Sequence, residues 1–304
     1  MTDKQIKPML NRRTLAYEAK GWLYVFPAFL VKLLFVVYPL VKAFRMAFYT
    51  KYNYLTETGS GFGLKAFQHV LTDPKFMDAM KNTLMIFGIG MPIAMILSLG
   101  IALLIDKRTK TYGLFQTIYF LPYVTSTIAI GVVFRAMFHG EYGYINYVLS
   151  WFGASPVKWL SDPKVVIWSI IIFYVWSGLA FKIIVLLVGL KRIDPQVYRV
   201  AKIDGAPPRR IFWKITLPLL SPTFWMLLIV SAIYVLKIYN EVFSLFNGNT
   251  GPADSGMTVS YYIYNMFYVR NQVNYAAAAA VIMFILILVI TLVQKRVAKK
   301  LTYY

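Results

Sequence analysis

Six stretches of about twenty predominantly apolar residues, each long enough for a helix to cross a hydrocarbon core, dominate this chain. They fall at 22–48, 79–105, 114–138, 164–190, 221–246 and 275–294. Backbone groups in lipid find no water, so segments of this kind close their hydrogen bonds internally as helices. Composition agrees: of 304 residues, 59% are hydrophobic, 17% aromatic and 14% charged. A water-soluble fold of this length cannot hide so much apolar surface. The expectation is an all-α integral membrane protein. Its six transmembrane helices occupy 22–294, between an N-terminal tail (1–21) and a C-terminal tail (295–304).

The formal net charge of +20 is distributed by topology. Lys4, Lys7, Arg12, Arg13 and Lys20 precede the first span, and Lys107, Arg108 and Lys110 join the second to the third. Lys191, Arg192, Arg199, Lys202, Arg209, Arg210 and Lys214 join the fourth to the fifth, and Lys295, Arg296, Lys299 and Lys300 follow the sixth. The intervening connections carry Lys51, Lys65, Lys75, Lys158 and Arg270. This alternation places both termini in the cytoplasm under the positive-inside rule. Nucleic acid is not an expected partner, because no basic-aromatic binding module accompanies the charge.

Several function classes drop out. The first span is too long, and lacks the small-residue site, for a cleaved signal peptide, so it reads as an anchor. The chain has no cysteine and two histidines, His69 and His139. Without a His-Glu-x-x-His pattern, no metal site is expected. No Gly-x-Ser-x-Gly element marks a nucleophile. A phosphate-binding Gly-x-x-x-x-Gly-Lys-Ser/Thr loop is also missing.

Among the outer connections, 50–77 contains an amphipathic patch (Leu64, Phe67, Val70, Leu71) that predicts a short interfacial helix. The 139–163 segment is aromatic (Tyr142, Tyr144, Trp151, Phe152, Trp159). That pattern fits an interfacial belt or a surface for an extracellular partner. Pro122 in the third span predicts a helix kink, with Thr125, Ser126 and Thr127 able to satisfy the freed backbone groups. Such a kink either makes room for a ligand or only helps packing.

The connection 191–218 is polar and basic between two apolar spans. Asp194-Pro195 predicts a helix start, Gln196 to Ile203 a short helix, Gly205 its end, and Ala206-Pro-Pro208 a stiff corner. A second helix is expected from Arg209 to Leu217, with Pro218 and Pro222 at the entry to the fifth span. This elbow suits a rigid lever on the cytoplasmic face, or a surface helix gripping anionic lipid.

Asp204-Gly205-Ala206 followed by Leu217-Pro218, with Phe212 and Ile215 at matching positions, resembles the coupling loop of ATP-binding-cassette importer permeases. The likeness is to the carbohydrate branch, typified by maltose and glycerol-phosphate permeases. Arg199, Val200 and Ala201 stand where that family reads Glu-Ala-Ala, so the chain departs from the pattern at Arg199 and Val200. Asn82-Thr-Leu84, Tyr119-Phe-Leu-Pro122, Gly189-Leu190, Gly251-Pro252, Tyr262-Ile-Tyr264 and the run Tyr275 to Ala280 are similar to further family landmarks. The resemblance covers about 20–296. It implies a non-catalytic half-channel in a bacterial cytoplasmic (inner) membrane, paired with a second permease. It also implies two ATPase subunits, which hold ATP and Mg, and a solute-binding protein delivering a sugar or oligosaccharide. Convergence of Lys32, Lys42, Arg135 and Lys182 around the pathway would point to an anionic saccharide, but the sequence does not show it. Coupling to the ATPases falls, by the same resemblance, to Arg199, Val200, Ala201, Asp204, Gly205, Ala206, Arg209 and Phe212.

For the substrate pathway, Tyr234, Lys237, Glu241 and Ser244 recur at three- and four-residue intervals, with Asn240 beside them. On one helix they form a polar stripe in the outer half of the fifth span. Polar groups inside a membrane face an interior or a cavity. Tyr174, Trp176 and Ser177 of the fourth span lie near mid-depth. Lys237 and Glu241 are alternatively an intrahelical ion pair, Trp176 ordinary packing, and Lys182 a residue that snorkels to the inner surface. The rival function is an ion-driven secondary transporter, which calls for matching interrupted helices and buried carboxylates. Pro122 has no counterpart in the second half, and Glu241 stands alone.

Overall fold

The computed structural model describes residues 12–106 and 123–301. In chain order the elements are α1 (Lys20–Ala47, continuing a helix that begins at Arg12), a hairpin of β1 (Tyr49–Asn53) and β2 (Thr58–Phe62), α2 (Lys65–Thr72) and α3 (Pro74–Ile105). Then come α4 (Thr127–Met137), α5 (Tyr144–Ser150), α6 (Val166–Lys191) and α7 (Pro195–Ile203). Last are α8 (Pro208–Leu236), α9 (Asn240–Leu245), α10 (Val259–Tyr264) and α11 (Val273–Leu301). Among the described residues, α1, α3, α6, α8 and α11 are long and apolar enough to cross a membrane. The apolar α4 lies where the third span was expected; the start of that span, with Pro122, is outside the described residues.

Proline shapes these helices without ending them. Widened π turns occupy Leu33–Val37, Ile86–Gly90 and Phe212–Thr216, and after one intervening residue each is followed by Pro39, Pro92 or Pro218. A proline ring clashes with the carbonyl four residues earlier, which in each case lies inside the π turn; opening the turn moves that carbonyl away. Pro222 is accommodated differently. The Ser221 hydroxyl donates to the Pro218 carbonyl at 2.7 Å, the acceptor that Pro222 leaves without an amide.

The fifth span therefore differs from its expected limits of 221–246. The second arm of the elbow is continuous with it, so α8 starts at Pro208, and it stops at Leu236. The last helix likewise runs on through 295–301.

The core forms where α3 packs on α6, around Met95, Ile171, Tyr174, Ile183 and Leu186. Ala276 to Ala279 at the start of α11 are buried, and these small side chains let α11 lie close against α1, α8 and α10. Alternation of the spans puts α7 at one end of the bundle and the hairpin at the other. From Lys20 to Val41 every residue of α1 is exposed in the isolated chain.

The hairpin end is stitched by side chains. Asn82 Nδ2 donates to the Ser255 and Met257 carbonyls at 2.9 and 3.0 Å. Thr83 Oγ1 accepts the Val259 amide, and the Thr258 hydroxyl donates to the Ile238 carbonyl at 2.8 Å. Asn146 organises the 139–163 connection: it donates to the carbonyls of Gly140 and Val157 and accepts from the Val157 amide and Trp159 Nε1. The expected interfacial helix is α2, which buries Ala66 and Val70 and leaves Leu64 and Leu71 exposed.

Candidate functional site

At the elbow, Asp194 caps α7 by accepting the Gln196 amide at 2.8 Å, with Pro195 at the first helical position. The helix ends in a Schellman closure. Gly205 has φ +68°, its amide donates to the Lys202 carbonyl, and the Ala206 amide donates to the Ala201 carbonyl at 3.0 Å. Pro207 and Pro208 then start α8. The Tyr198 hydroxyl reaches Thr216 Oγ1 at 3.3 Å and ties the two arms together. The bend is thus fixed by a left-handed glycine, two prolines and a cross-arm bond.

The elbow's outer surface is unusual for a terminal loop. Val200 and Ile203 are 56% and 84% exposed, and Trp213 is 57% exposed. Arg199, Lys202, Asp204, Gly205, Arg209, Arg210 and Lys214 are also exposed, while Ala206 and Phe212 are half-buried and Ala201 is buried. Three apolar side chains thus stand exposed among basic ones.

The second site is a cavity of about 240 Å³ between α4, α6 and α8. Its walls carry Thr125, Thr127, Ser177, Lys182, Ser231 and Tyr234 over an apolar floor of Ile130, Phe181 and Val230. Tyr174 stacks on Tyr234 with ring centroids 6.3 Å apart and planes inclined by 26°. The Lys182 ammonium lies 5.4 Å from the Tyr174 ring centroid and donates to the Gly178 carbonyl at 3.0 Å. Beyond Tyr234, its hydroxyl donates to Glu241 Oε1 at 2.7 Å, and Glu241 is buried. A cation–π contact, a tyrosine stack and a charge-assisted hydrogen bond follow one another through the bundle.

The expected polar stripe is partly present. Tyr174, Ser177, Tyr234 and Glu241 come together, but not on one continuous helix. Lys237 caps α8, Tyr239 has φ −141° and ψ −53°, and α9 begins afresh at Asn240. The Ile238 carbonyl freed by the break accepts the Thr258 hydroxyl, which offsets the lost helical bond. Lys237 and Asn240 consequently point away from the cavity and are exposed, and no ion pair joins Lys237 to Glu241 among the described residues. Ser244 is buried against Gly131 of α4 and donates to the Glu241 carbonyl at 3.2 Å. Trp176 turns to the other side of α6, 39% exposed, with its ring 5.0 Å from that of Phe134.

Lys182 corrects the sequence expectation most plainly. It does not snorkel: it is 3% exposed, 16 residues into α6, or about 24 Å from Val166 at ~1.5 Å per residue. Gly178 permits this. A Cβ there would stand 2.4 Å from the ammonium, so the bare glycine supplies the room above its own carbonyl. The i, i+4 pairing of Gly178 with Lys182 was the available signal, as was Ser231 one turn before Tyr234.

The lactose transport system permease protein LacF of Rhizobium radiobacter is 32% identical over 93% of this chain and 95% of its own length. The trehalose/maltose transport system permease protein MalF of Thermococcus litoralis is 30% identical over 93% and 95%. A crystal structure of a bacterial ABC transporter involved in the import of the acidic polysaccharide alginate superposes with a TM-score of 0.79 at 25% identity. That match covers 96% of this chain and 100% of the other. The family model described as binding-protein-dependent transport system inner membrane component matches residues 90–303. That match spans the cavity, the elbow and the stitched loop beyond α8, and the chain accordingly belongs to the binding-protein-dependent transport system inner membrane component family, as a non-catalytic, multi-pass ABC transporter permease subunit.

Proposed function

We propose that this chain forms half of the translocation pathway of an ATP-driven importer for a sugar or oligosaccharide. Both termini and the elbow lie in the cytoplasm. A second, similar permease completes the pathway, two ATPases that bind ATP and Mg dock on the elbow, and a solute-binding protein delivers substrate at the hairpin end. The observation that carries this reading is the elbow itself: a rigid bend exposing Val200, Ile203 and Trp213 inside a basic rim, continuous with a transmembrane helix.

A force applied to α7 reaches α8 through the Schellman turn and the Tyr198–Thr216 contact. Because Pro208 to Leu236 is one continuous helix, movement at the elbow is movement at Tyr234 and the cavity wall. ATP binding thereby biases a two-state bundle through differential contacts, with no chemistry in the membrane. The relatives named for lactose, trehalose/maltose and arabinooligosaccharides support sugar as the cargo class. The cavity suits it, since aromatic faces stack on sugar C–H surfaces while hydroxyls bond the hydroxyls.

The uncovered length of α1 is the place for lipid and for the second permease. Lys32, exposed midway along it, favours a protein neighbour on its side of the helix. The test is uptake by cells or proteoliposomes holding the whole complex. Inactivating the ATPase abolishes uptake, whereas collapsing proton and sodium gradients leaves it intact. Uptake by the chain alone, driven by an ion gradient, overturns the proposal in favour of a secondary transporter.

A further inference from the structure

We infer that the cavity between α4, α6 and α8 reads an anionic group on the transported sugar, a carboxylate or equivalent oxyanion, and that Lys182 is its counter-charge. This rests on the importer reading and adds the charge of the cargo.

The argument begins with an imbalance. Lys182 is 3% exposed in the middle of a membrane-spanning helix and lines a cavity. Taking an ammonium out of water costs several kcal/mol unless an opposite charge compensates it. Its contacts among the described residues are one carbonyl, that of Gly178, and the face of Tyr174. Among the described residues, the ion pairs are Lys42–Glu57 and Lys75–Asp254, so no carboxylate reaches Lys182. Residues 107–122, which lead into the cavity-lining Tyr123, contain no Asp or Glu in their sequence. The one buried carboxylate nearby, Glu241, is engaged by Tyr234 on the far side of the tyrosine stack and is not part of the cavity wall.

An ammonium has three donors, and the Gly178 carbonyl takes one. Thr125, Thr127, Ser177 and Ser231 surround the same space with hydroxyls that adapt to a sugar's own. The volume, about 240 Å³, is of the order of one monosaccharide ring. A neutral sugar would leave the lysine uncompensated; an acidic one supplies the missing charge and converts a cost into a charge-assisted hydrogen bond. The surroundings preserve the ammonium's place. Because a Cβ at Gly178 would fall 2.4 Å from Nζ, and nothing else crowds it but the outermost stem carbon, Gly178→Ala shifts the charge without disturbing the core.

The experiment uses the intact complex with its binding protein and ATPases. The probes are oligogalacturonides of two to four units and neutral galacto-oligosaccharides of the same lengths. Expected results are ATP-dependent uptake of the acidic series and at least about tenfold loss for Lys182→Met, equal to about 1.4 kcal/mol. Lys182→Arg retains most of the activity, and Gly178→Ala falls between them. Thermal unfolding of Lys182→Met without sugar is unchanged or raised, because an uncompensated charge has gone; a lysine needed only for structure would lower it. Uptake confined to the neutral series, or acidic uptake indifferent to Lys182→Met, overturns this inference and leaves the importer standing. ATP-dependent uptake of neither series, from a complex that assembles, removes the sugar reading and this one together.

Discussion

The two ends of the bundle solve the same problem in opposite ways. At the hairpin end, connections are held by side chains of this chain: Asn82, Thr83 and Thr258 bond backbone groups of other elements, and Asn146 ties together the 139–163 connection it sits in. At the elbow end, the connection is stiff within itself, yet its apolar residues Val200, Ile203 and Trp213 stay more than half exposed. One end completes its own packing; the other leaves apolar side chains exposed, where we propose that the ATPases dock. Damage at the hairpin end should therefore appear as lost stability, and damage at the elbow as lost coupling.

The sharpest break in that comparison comes at Gly205. Its φ of +68° lies in the left-handed region, where a β-branched side chain costs on the order of 1–2 kcal/mol. No atom lies within 4 Å of the position a Cβ would take, so strain rather than collision is what a substitution adds. Gly205→Val should leave membrane insertion and thermal stability nearly intact while uptake is abolished, with the ATPase either running uncoupled or failing to assemble. Uptake at the parental rate would show that the elbow's bend carries no coupling.

Asn146 is the complementary test and the next largest effect. Its amide makes four bonds, to Gly140, Val157 (twice) and Trp159, and it is 6% exposed. Asn146→Leu keeps the heavy-atom count and branching and strands those partners, at a cost of about 3 kcal/mol. The expected result is a marked fall in melting temperature of the purified chain. The ratio of transport to ATP hydrolysis stays unchanged in the protein that remains folded. A change in that ratio at undiminished stability would erase the distinction between the two ends.

What sequence reasoning made visible follows the same divide. Spans, elbow and caps were legible because they depend on neighbours in sequence: Asp194-Pro195, Gly205 and the apolar windows carry their own local physics. The hairpin within 50–77 was not, since it carries no long apolar window; Asn53 Oδ1 accepting the Leu55 amide helps close a turn between paired strands. The break after Leu236 escaped notice because no proline or glycine marks it; a threonine 20 residues further on, Thr258, takes up the freed Ile238 carbonyl. Lys182 was assigned by distance to the helix end, when its position depended on a missing side chain one turn earlier. Tyr234 and Glu241 were placed together on the wrong grounds, helical spacing, and meet across a gap in the helix.

The smallest effect isolates charge from geometry at the hairpin end. Lys75 and Asp254 form an ion pair at 2.5 Å, and Thr250 Oγ1 donates to the other Asp254 oxygen at 2.6 Å. Burial alone would raise the Asp254 carboxyl, but the bonds from Lys75 and Thr250, with the Lys75 and Arg270 charges, outweigh it and hold the group below its ordinary value of 3.8. A carboxylate depressed in the folded state adds stability that is complete above its unfolded pKa and is lost as pH falls through the folded one. Asp254→Asn is a clean probe, since φ +59° suits asparagine and its Oδ1 can still accept from Thr250. Both partners are more than a third exposed, so solvent screening limits the contribution to under about 1 kcal/mol. The melting difference between the parent and Asp254→Asn should be small and flat from about pH 8 to about pH 5, then shrink below about pH 4 as the parent protonates. It should also narrow in high salt. A difference that persists in acid would mean that the 250–259 loop is held by the asparagine and threonine clamps alone, and that charge plays no part in closing this end of the bundle.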